Sequence, residues 1–262
     1  MNFGRIRIFF FDLDGVLSVG KEHPRYLGGH EVIEKIKSTG KKAYVLTNDS
    51  THTRDQIQQN LVKLGFGFES EEILTSSYLT ALYLTQRCGK ASFFLVGEEG
   101  LRRELEAAGH ITDEENPQFV VVGFDRQLTY KKLDLALRFL RNDTALIGSY
   151  GGAVYMSDQG PALSAGPIIK ALEYGSGKRA IMIGKPAPRM FRLALRRANE
   201  KAANAVMVGD QLETDVLGAQ RAGVHTVLVL TGVEKRAIVG RSKIKPDLII
   251  ETVDGLVDLL PS

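Results

Sequence analysis

Ile8-Phe9-Phe10-Phe11-Asp12-Leu13-Asp14-Gly15 sets four apolar residues directly before two carboxylates and a glycine. A short apolar run bounded by turn formers is read as a buried strand. In an open α/β sheet, ligands gather beyond the carboxyl ends of the strands, so the tip carrying Asp12 and Asp14 is where chemistry is expected. Strand alternation would aim both carboxylates the same way, whereas a turn at Gly15 lets one face a ligand while the other stands beside it. Such crowding raises the proton affinity of one of them unless a cation or hydrogen-bond donors intervene. The stretch outlines a metal site or an acid/base pair, although Asp and Gly also form ordinary turns and a strand can simply end this way.

The chain of 262 residues is long enough for one large domain or two ordinary ones, and two are expected. With 44% hydrophobic and 25% charged residues it has a globular composition, outside the disordered and membrane classes. No stretch approaches the roughly 18 apolar residues of a membrane span. Met1-Asn2-Phe3-Gly4-Arg5 runs straight into the first strand, leaving no room for a secretory leader, so a cytoplasmic protein is expected. The single Cys88 excludes an intrachain disulfide framework and, at the end of an apolar helical pattern, reads as a packing residue. A balance of 34 basic against 31 acidic residues gives no argument for a nucleic-acid partner. The local basic cluster Lys235, Arg236, Arg241, Lys243 and Lys245 reads as a solvated loop.

Apolar runs of strand length recur along the chain: Ile6–Phe11, Ala43–Thr47, Ser92–Val96, Phe119–Gly123, Ala145–Gly148, Ala180–Gly184, Ala205–Gly209, His225–Leu230 and Leu248–Ile250. Between them lie segments of helical period, such as Gln56–Leu64, Gly100–Ala108, Leu133–Leu140, Met190–Ala198 and Asp215–Ala222. Thr53 and Gln56 have the spacing of a capping box. The alternation predicts an α/β fold, a Rossmann-like doubly wound parallel sheet. Polar stations end the strands early and late in the chain but not between about residues 80 and 175. This predicts a discontinuous core domain, residues 1–76 and 177–262, with a smaller α/β cap domain, 77–176, inserted into it. Gly148–Gly152 and Gly175-Ser176-Gly177 are candidate bends near the boundary.

Each station has a chemical and a structural reading. Thr47-Asn48-Asp49-Ser50 follows an apolar strand, where a hydroxyl and exposed backbone N–H groups can cradle phosphate oxygens; the same residues also cap helices. Lys185, held by Pro186 with Pro188 opening the next helix, could neutralise a phosphate and a nucleophilic carboxylate at once, or could be a plain turn lysine. Val206-Met207-Val208-Gly209-Asp210 is the second acidic tip. Asp210 would meet Asp12 and Asp14, and converging carboxylates in a partly hydrated site suit Mg²⁺. Asp215 is placed to support the site from behind or bind the metal through water, while favourable charge at a helix start explains it equally well.

In order and spacing, Asp12-Leu13-Asp14-Gly15-Val16, Thr47-Asn48, Lys185-Pro186 and Gly209-Asp210 with Asp215 resemble the four signature motifs of haloacid dehalogenase-like phosphatases. The inserted segment is similar to the α/β cap of the subgroup holding NagD-type sugar and nucleotide phosphatases, p-nitrophenyl phosphatases and phosphoglycolate phosphatases. The resemblance implies that Asp12 attacks phosphorus to form an aspartyl phosphate, while Asp14 protonates the leaving oxygen and later activates water. It implies Mg²⁺ held by Asp12, the Asp14 carbonyl and Asp210, with Thr47, the Asn48 N–H and Lys185 on the phosphoryl group. It also implies a small phosphorylated metabolite as substrate and a homodimer paired through the cap.

The chain departs from its relatives at Asp49, where they typically carry a second asparagine, and at Ser149-Tyr150-Gly151-Gly152, where they often carry Thr-Asn-Pro-Asp. Asp49 adds negative charge near a phosphate site unless its side chain turns toward the following helix. Asp125, Arg126, Ser149, Tyr150 and Tyr155 are the cap candidates for substrate selectivity; both tyrosines read equally well as packing residues, and Arg126 as solvated. The expected activity is a Mg²⁺-dependent phosphomonoesterase, with a phosphomutase or a non-catalytic phosphate- or metal-binding regulator as alternatives. A receiver domain is disfavoured because the nucleophile lies on the first strand and the insertion is large.

Overall fold

The computed structural model describes residues 1–20, 24–157 and 160–261. In chain order the first elements are β1 (Ile8–Phe11), β2 (Ser18–Val19), β3 (Arg25–Tyr26), α1 (His30–Ser38), β4 (Lys42–Thr47), α2 (Arg54–Lys63) and β5 (Ile73–Thr75). There follow α3 (Ser76–Cys88), β6 (Ser92–Val96), α4 (Glu99–Ala107), β7 (Ile111–Thr112), β8 (Phe119–Val122), α5 (Tyr130–Leu140), β9 (Ala145–Gly148), β10 (Val154–Ser157), β11 (Gly160–Leu163), α6 (Ala165–Ser176) and β12 (Ile181–Met182). The last are α7 (Pro188–Ala198), β13 (Ala205–Gly209), α8 (Leu217–Arg221), β14 (His225–Val229), α9 (Arg236–Arg241) and β15 (Leu248–Ile250). Among the described residues no helix is long and apolar enough to cross a membrane.

The chain divides into two compact units, one of residues 1–47, 54–74 and 185–262, the other of residues 48–53 and 75–184. The first is built on a six-stranded sheet in the order β15-β14-β13-β1-β4-β5. β1 pairs in parallel with β4 on one side and β13 on the other, Phe11 lying opposite Val45 and Val208. The chain winds outward from β1 in one direction, then returns to its other flank, so the carboxyl end of β1 is the topological switch point. All four residues of β1 are buried. Phe9 and Phe11 point to one face, where they stack with ring centroids 6.3 Å apart and pack with α1, α2 and the last helical turns through Ile36, Leu61 and Leu256. On β14, Val227 and Val229 join that core while Leu228 faces the other way, onto Leu212, Val216 and Val239. Both faces of the sheet are therefore covered, as a buried parallel sheet requires.

The second unit carries a five-stranded parallel sheet, β12-β9-β8-β6-β7, and the antiparallel hairpin β10-β11. Its core joins Phe94, Val120 and Leu146 of the sheet to Phe139 of α5 and Ile169 of α6. The return to the first unit lies later than residue 177. Gly177, with φ 74°, ends α6, and the run from Ala180 then supplies β12, which pairs with β9 (Ile181 opposite Ile147). The crossing falls between Gly184 and Lys185. Residues 48–53 also belong to the second unit, although they follow β4 directly. Cys88 is exposed at the end of α3, its Sγ donating to the Leu84 carbonyl (3.3 Å), which corrects the expectation of a packed side chain.

Candidate active site

Three strands of the first unit end side by side, β13, β1 and β4, and each delivers one of the expected polar groups. β1 leads into Asp12, whose N–H continues the ladder to the Val208 carbonyl at 2.9 Å. β4 ends on buried Thr47, and β13 leads into buried Asp210. Asp14 is half-buried in the turn that follows β1, where the Gly15 N–H donates to the Ser18 carbonyl at 2.7 Å. Gly15 holds φ 84°, and a Cβ there would lie 2.5 Å from Asp210 Oδ2. The glycine is thus required twice, by its conformation and by the carboxylate against it.

Lys185 is buried between two carboxylates. Its Nζ lies 2.9 Å from Asp12 Oδ1 and 2.7 Å from Asp215 Oδ1, and its side chain is 1% exposed. Lys185 follows β12 in sequence and precedes α7, with a cis peptide bond to Pro186. Gly218 of α8 lets that turn close in, since a Cβ there would lie 3.0 Å from Pro186 Cα. Burial alone would lower the lysine's proton affinity, but Asp12 and Asp215 hold it above the ordinary lysine value, so it is a fixed cation.

Asp215 sits in a π-helical turn, Leu212–Val216, that precedes α8. The wider turn brings its carboxylate back under the β13 tip: Oδ2 accepts from the Asp210 N–H (3.2 Å) and the Gln211 N–H (3.1 Å). Gly209 makes room, for a Cβ there would lie 2.3 Å from Asp215 Cβ. With Oδ1 on Lys185 and Oδ2 on two backbone donors, Asp215 is the support that holds the lysine and the Asp210 backbone.

Asp210 is bonded on one side only. Its Oδ2 accepts from the Val233 N–H at 2.7 Å, while Oδ1 is buried with no hydrogen-bond partner among the described residues. Carboxylate oxygens of Asp12, Asp210 and Asp215 all lie within 4.8 Å of one another. Burial and the neighbouring Asp215 charge push Asp210 up to about 7, against the pull of the Val233 N–H and Lys185. Burial likewise raises Asp12 well above the usual carboxylate range; Lys185 opposes the shift, while Asp215 and Asp210 add to it. Three carboxylates against one ammonium leave an excess of negative charge on hard oxygen ligands, and an orphaned buried oxygen faces it. This donor set fits a divalent cation such as Mg²⁺.

Two family models match the chain, a haloacid dehalogenase-like hydrolase model over residues 9–111 and a HAD-hydrolase-like model over residues 182–256. The 5'-nucleotidase YutF of Bacillus subtilis is 31% identical over 253 residues, covering 97% of each chain. The chain belongs to the haloacid dehalogenase-like hydrolases. Human chronophin is 32% identical over 278 residues, covering 97% of this chain and 93% of its own. The crystal structure of 4-nitrophenylphosphatase from Thermotoga maritima superposes with a TM-score of 0.91 at 32% identity, covering 97% of both chains. Together with a neighbour described as a NagD protein, these place this hydrolase in the NagD-like group and make it a phosphoric monoester hydrolase.

In this HAD-like enzyme the remaining sequence candidates lie in the second unit. Asp49 turns toward the helix that follows: Oδ1 accepts from the Thr51 and His52 N–H groups (2.7 and 3.1 Å), and Oδ2 lies 2.8 Å from His52 Nδ1. Its charge is bound within its own turn. The Asn48 and Asp49 carbonyls take the Ser76 hydroxyl at 3.0 and 3.2 Å. Asp125 is paired with Lys132 at 2.6 Å and Arg126 is forked onto Glu98 at 2.9 and 2.8 Å, so both charges serve the unit's own structure. Ser149 is fully buried, with its Oγ unpartnered among the described residues. The Tyr150 ring lies over Gly152, and the half-buried Tyr155 meets Phe124 edge-on with centroids 4.8 Å apart. Sequence reasoning missed the segment Thr231-Gly232-Val233, which carries no recognisable motif and meets the site only through the fold.

Proposed function

We propose that this enzyme is a Mg²⁺-dependent phosphatase that hydrolyses a small phosphorylated metabolite through an aspartyl phosphate on Asp12. The observation that carries the reading is Lys185 buried between Asp12 and Asp215, beside Asp210 Oδ1, which has no hydrogen-bond partner among the described residues. Asp12, the Asp14 carbonyl and Asp210 would hold the metal, which when bound supplies charge neutralisation for the phosphoryl oxygens. Asp12 attacks phosphorus in line; the Asp12–phosphorus bond forms as the ester oxygen leaves and takes its proton from Asp14. A water molecule then attacks the same phosphorus, its proton goes to Asp14, and the Asp12 carboxylate is released with inorganic phosphate. Lys185 favours the ionised form of Asp12 and orients it, and with Thr47 and the Asn48 N–H it takes the charge spread over the phosphoryl oxygens.

Phosphate release from a panel of small phosphomonoesters, with and without Mg²⁺, tests this reading. Turnover that requires metal supports it. Inertness on every ester despite bound metal contradicts it and turns attention to phosphoryl return onto a second hydroxyl. Leaving-group selectivity is assigned in the same proposal to Asp125, Arg126, Ser149, Tyr150 and Tyr155, of which Asp125 and Arg126 also pair with Lys132 and Glu98. Pairing of two chains through the second unit also belongs to it, and solution mass by light scattering tests that part.

The Asp210 proton gives a pH prediction. In the metal-free protein its folded value, about 7, lies above the ordinary 3.8, so ionising it lowers stability progressively as pH rises between those values. A cation must displace that proton below about pH 7. Mg²⁺ affinity is therefore expected to fall by up to about tenfold per pH unit below 7 and to level off above it, as calorimetric titrations across pH 5.5 to 8.5 would show. A pH-independent affinity over that range would contradict the assignment of Asp210 as a ligand.

A further inference from the structure

The Leu230–Glu234 segment after β14 makes three bonds to the acidic tips from one short stretch of chain. The Thr231 hydroxyl donates to the Gly15 carbonyl at 2.6 Å, and the Val233 N–H donates to Asp210 Oδ2 at 2.7 Å. Between them, Gly232 brings its Cα to 3.1 Å from where a Gly15 Cβ would sit, and a Cβ on Gly232 itself would collide with the Asp210 carboxylate. The Glu234 N–H adds a bond to the Asp210 carbonyl at 3.2 Å. One segment thus fixes the β1 turn and the β13 tip in a common frame.

We propose that Thr231 is a positioning residue of the metal site, acting through Gly15 on the direction of the Asp14 carbonyl. The inference rests on the metal reading given above. Gly15 is pinned at both of its peptide groups, its N–H by the Ser18 carbonyl (2.7 Å) and its C=O by Thr231. In a trans peptide the N–H and the preceding C=O point oppositely, so the Gly15–Ser18 bond turns the Asp14 carbonyl away from Ser18. Gly15, at φ 84° and with no side chain, has the softest backbone in the turn, and the Thr231 bond supplies the restraint its missing side chain cannot. The Val233 bond does the corresponding work on Asp210, committing Oδ2 and leaving Oδ1 for a ligand. Outer partners of this kind typically change metal affinity by about 10- to 100-fold when removed.

The test uses the full-length protein with Mg²⁺ alone as the probe. Calorimetric Kd for Mg²⁺, the Mg²⁺-induced rise in Tm, and the substrate KM are measured for wild type, Thr231→Val and Thr231→Ser. Thr231→Val is expected to weaken Mg²⁺ binding about tenfold or more with substrate KM little changed, and Thr231→Ser, which keeps the hydroxyl, to restore it. If the valine variant does not fold, Thr231→Ala serves the same comparison. A lower metal-free Tm with unaltered Mg²⁺ affinity would show a merely structural bond and overturn the inference alone. Failure of the wild type itself to take up Mg²⁺ would overturn the metal reading and this inference with it.

Discussion

Asp12→Asn is expected to lower phosphate release by at least about 10³-fold on every ester the wild type hydrolyses, while leaving the fold intact. The substitution keeps the shape of the side chain and removes the nucleophilic charge. It also removes one member of a crowded buried group: burial, Asp215 and Asp210 disfavour the Asp12 carboxylate, while Lys185 opposes them. Lys185 retains Asp215 at 2.7 Å. Stability should therefore be unchanged or raised as activity disappears, and parallel measurements of turnover and Tm separate loss of chemistry from loss of structure. Retained turnover would mean that Asp12 is not the attacking group.

Lys185→Met should show the opposite pattern in stability. The methionine removes the cation bonded to both Asp12 and Asp215 in an environment where the lysine is 1% exposed. Breaking a buried pair leaves uncompensated charge and costs about 3–5 kcal/mol. The defect should shrink at low pH, because Asp12, already raised above the usual carboxylate range, accepts a proton and sheds the charge. Denaturant unfolding of the variant at pH 5 and pH 8 checks the sign: the gap to wild type should be smaller at pH 5. An equal gap at both would place the lost stability in packing rather than charge. Turnover should fall with stability at neutral pH, since Lys185 also serves the phosphoryl group.

Much of this site was legible because its parts lie at strand tips, where local sequence and topology coincide. Ile8–Phe11 reads as a buried strand from its apolar run alone, and Asp12, Thr47 and Asp210 follow from where the strands β1, β4 and β13 stop. Legibility failed where a residue's setting depends on distant partners. Ala180–Gly184 has the pattern of a core strand, yet Ile181 and Met182 pair with β9 of the second unit, so the domain crossing moves to Lys185. Helices α1 and α6 were not singled out by periodicity, and Arg236–Arg241, within the basic cluster that reads as a solvated loop, forms α9, whose buried Val239 packs with Leu212, Val216 and Leu228. The pairing of Asp125 with Lys132 and of Arg126 with Glu98 likewise carries no local sequence signal. Thr231 was invisible because its bond to Gly15 spans 216 residues of sequence and no local pattern encodes it.

A covalent phosphoryl group on Asp12 can be trapped as it forms. Wild type and Asp12→Asn would be mixed with a phosphate-labelled ester in the presence of Mg²⁺, quenched in acid within milliseconds, and the labelled peptide mapped by mass spectrometry. Transient, base-labile label is expected on Asp12 in the wild type and none in the variant. Turnover that proceeds in the wild type with no label on Asp12 at any quench time, and persists in the variant, would contradict it and point to direct attack by water.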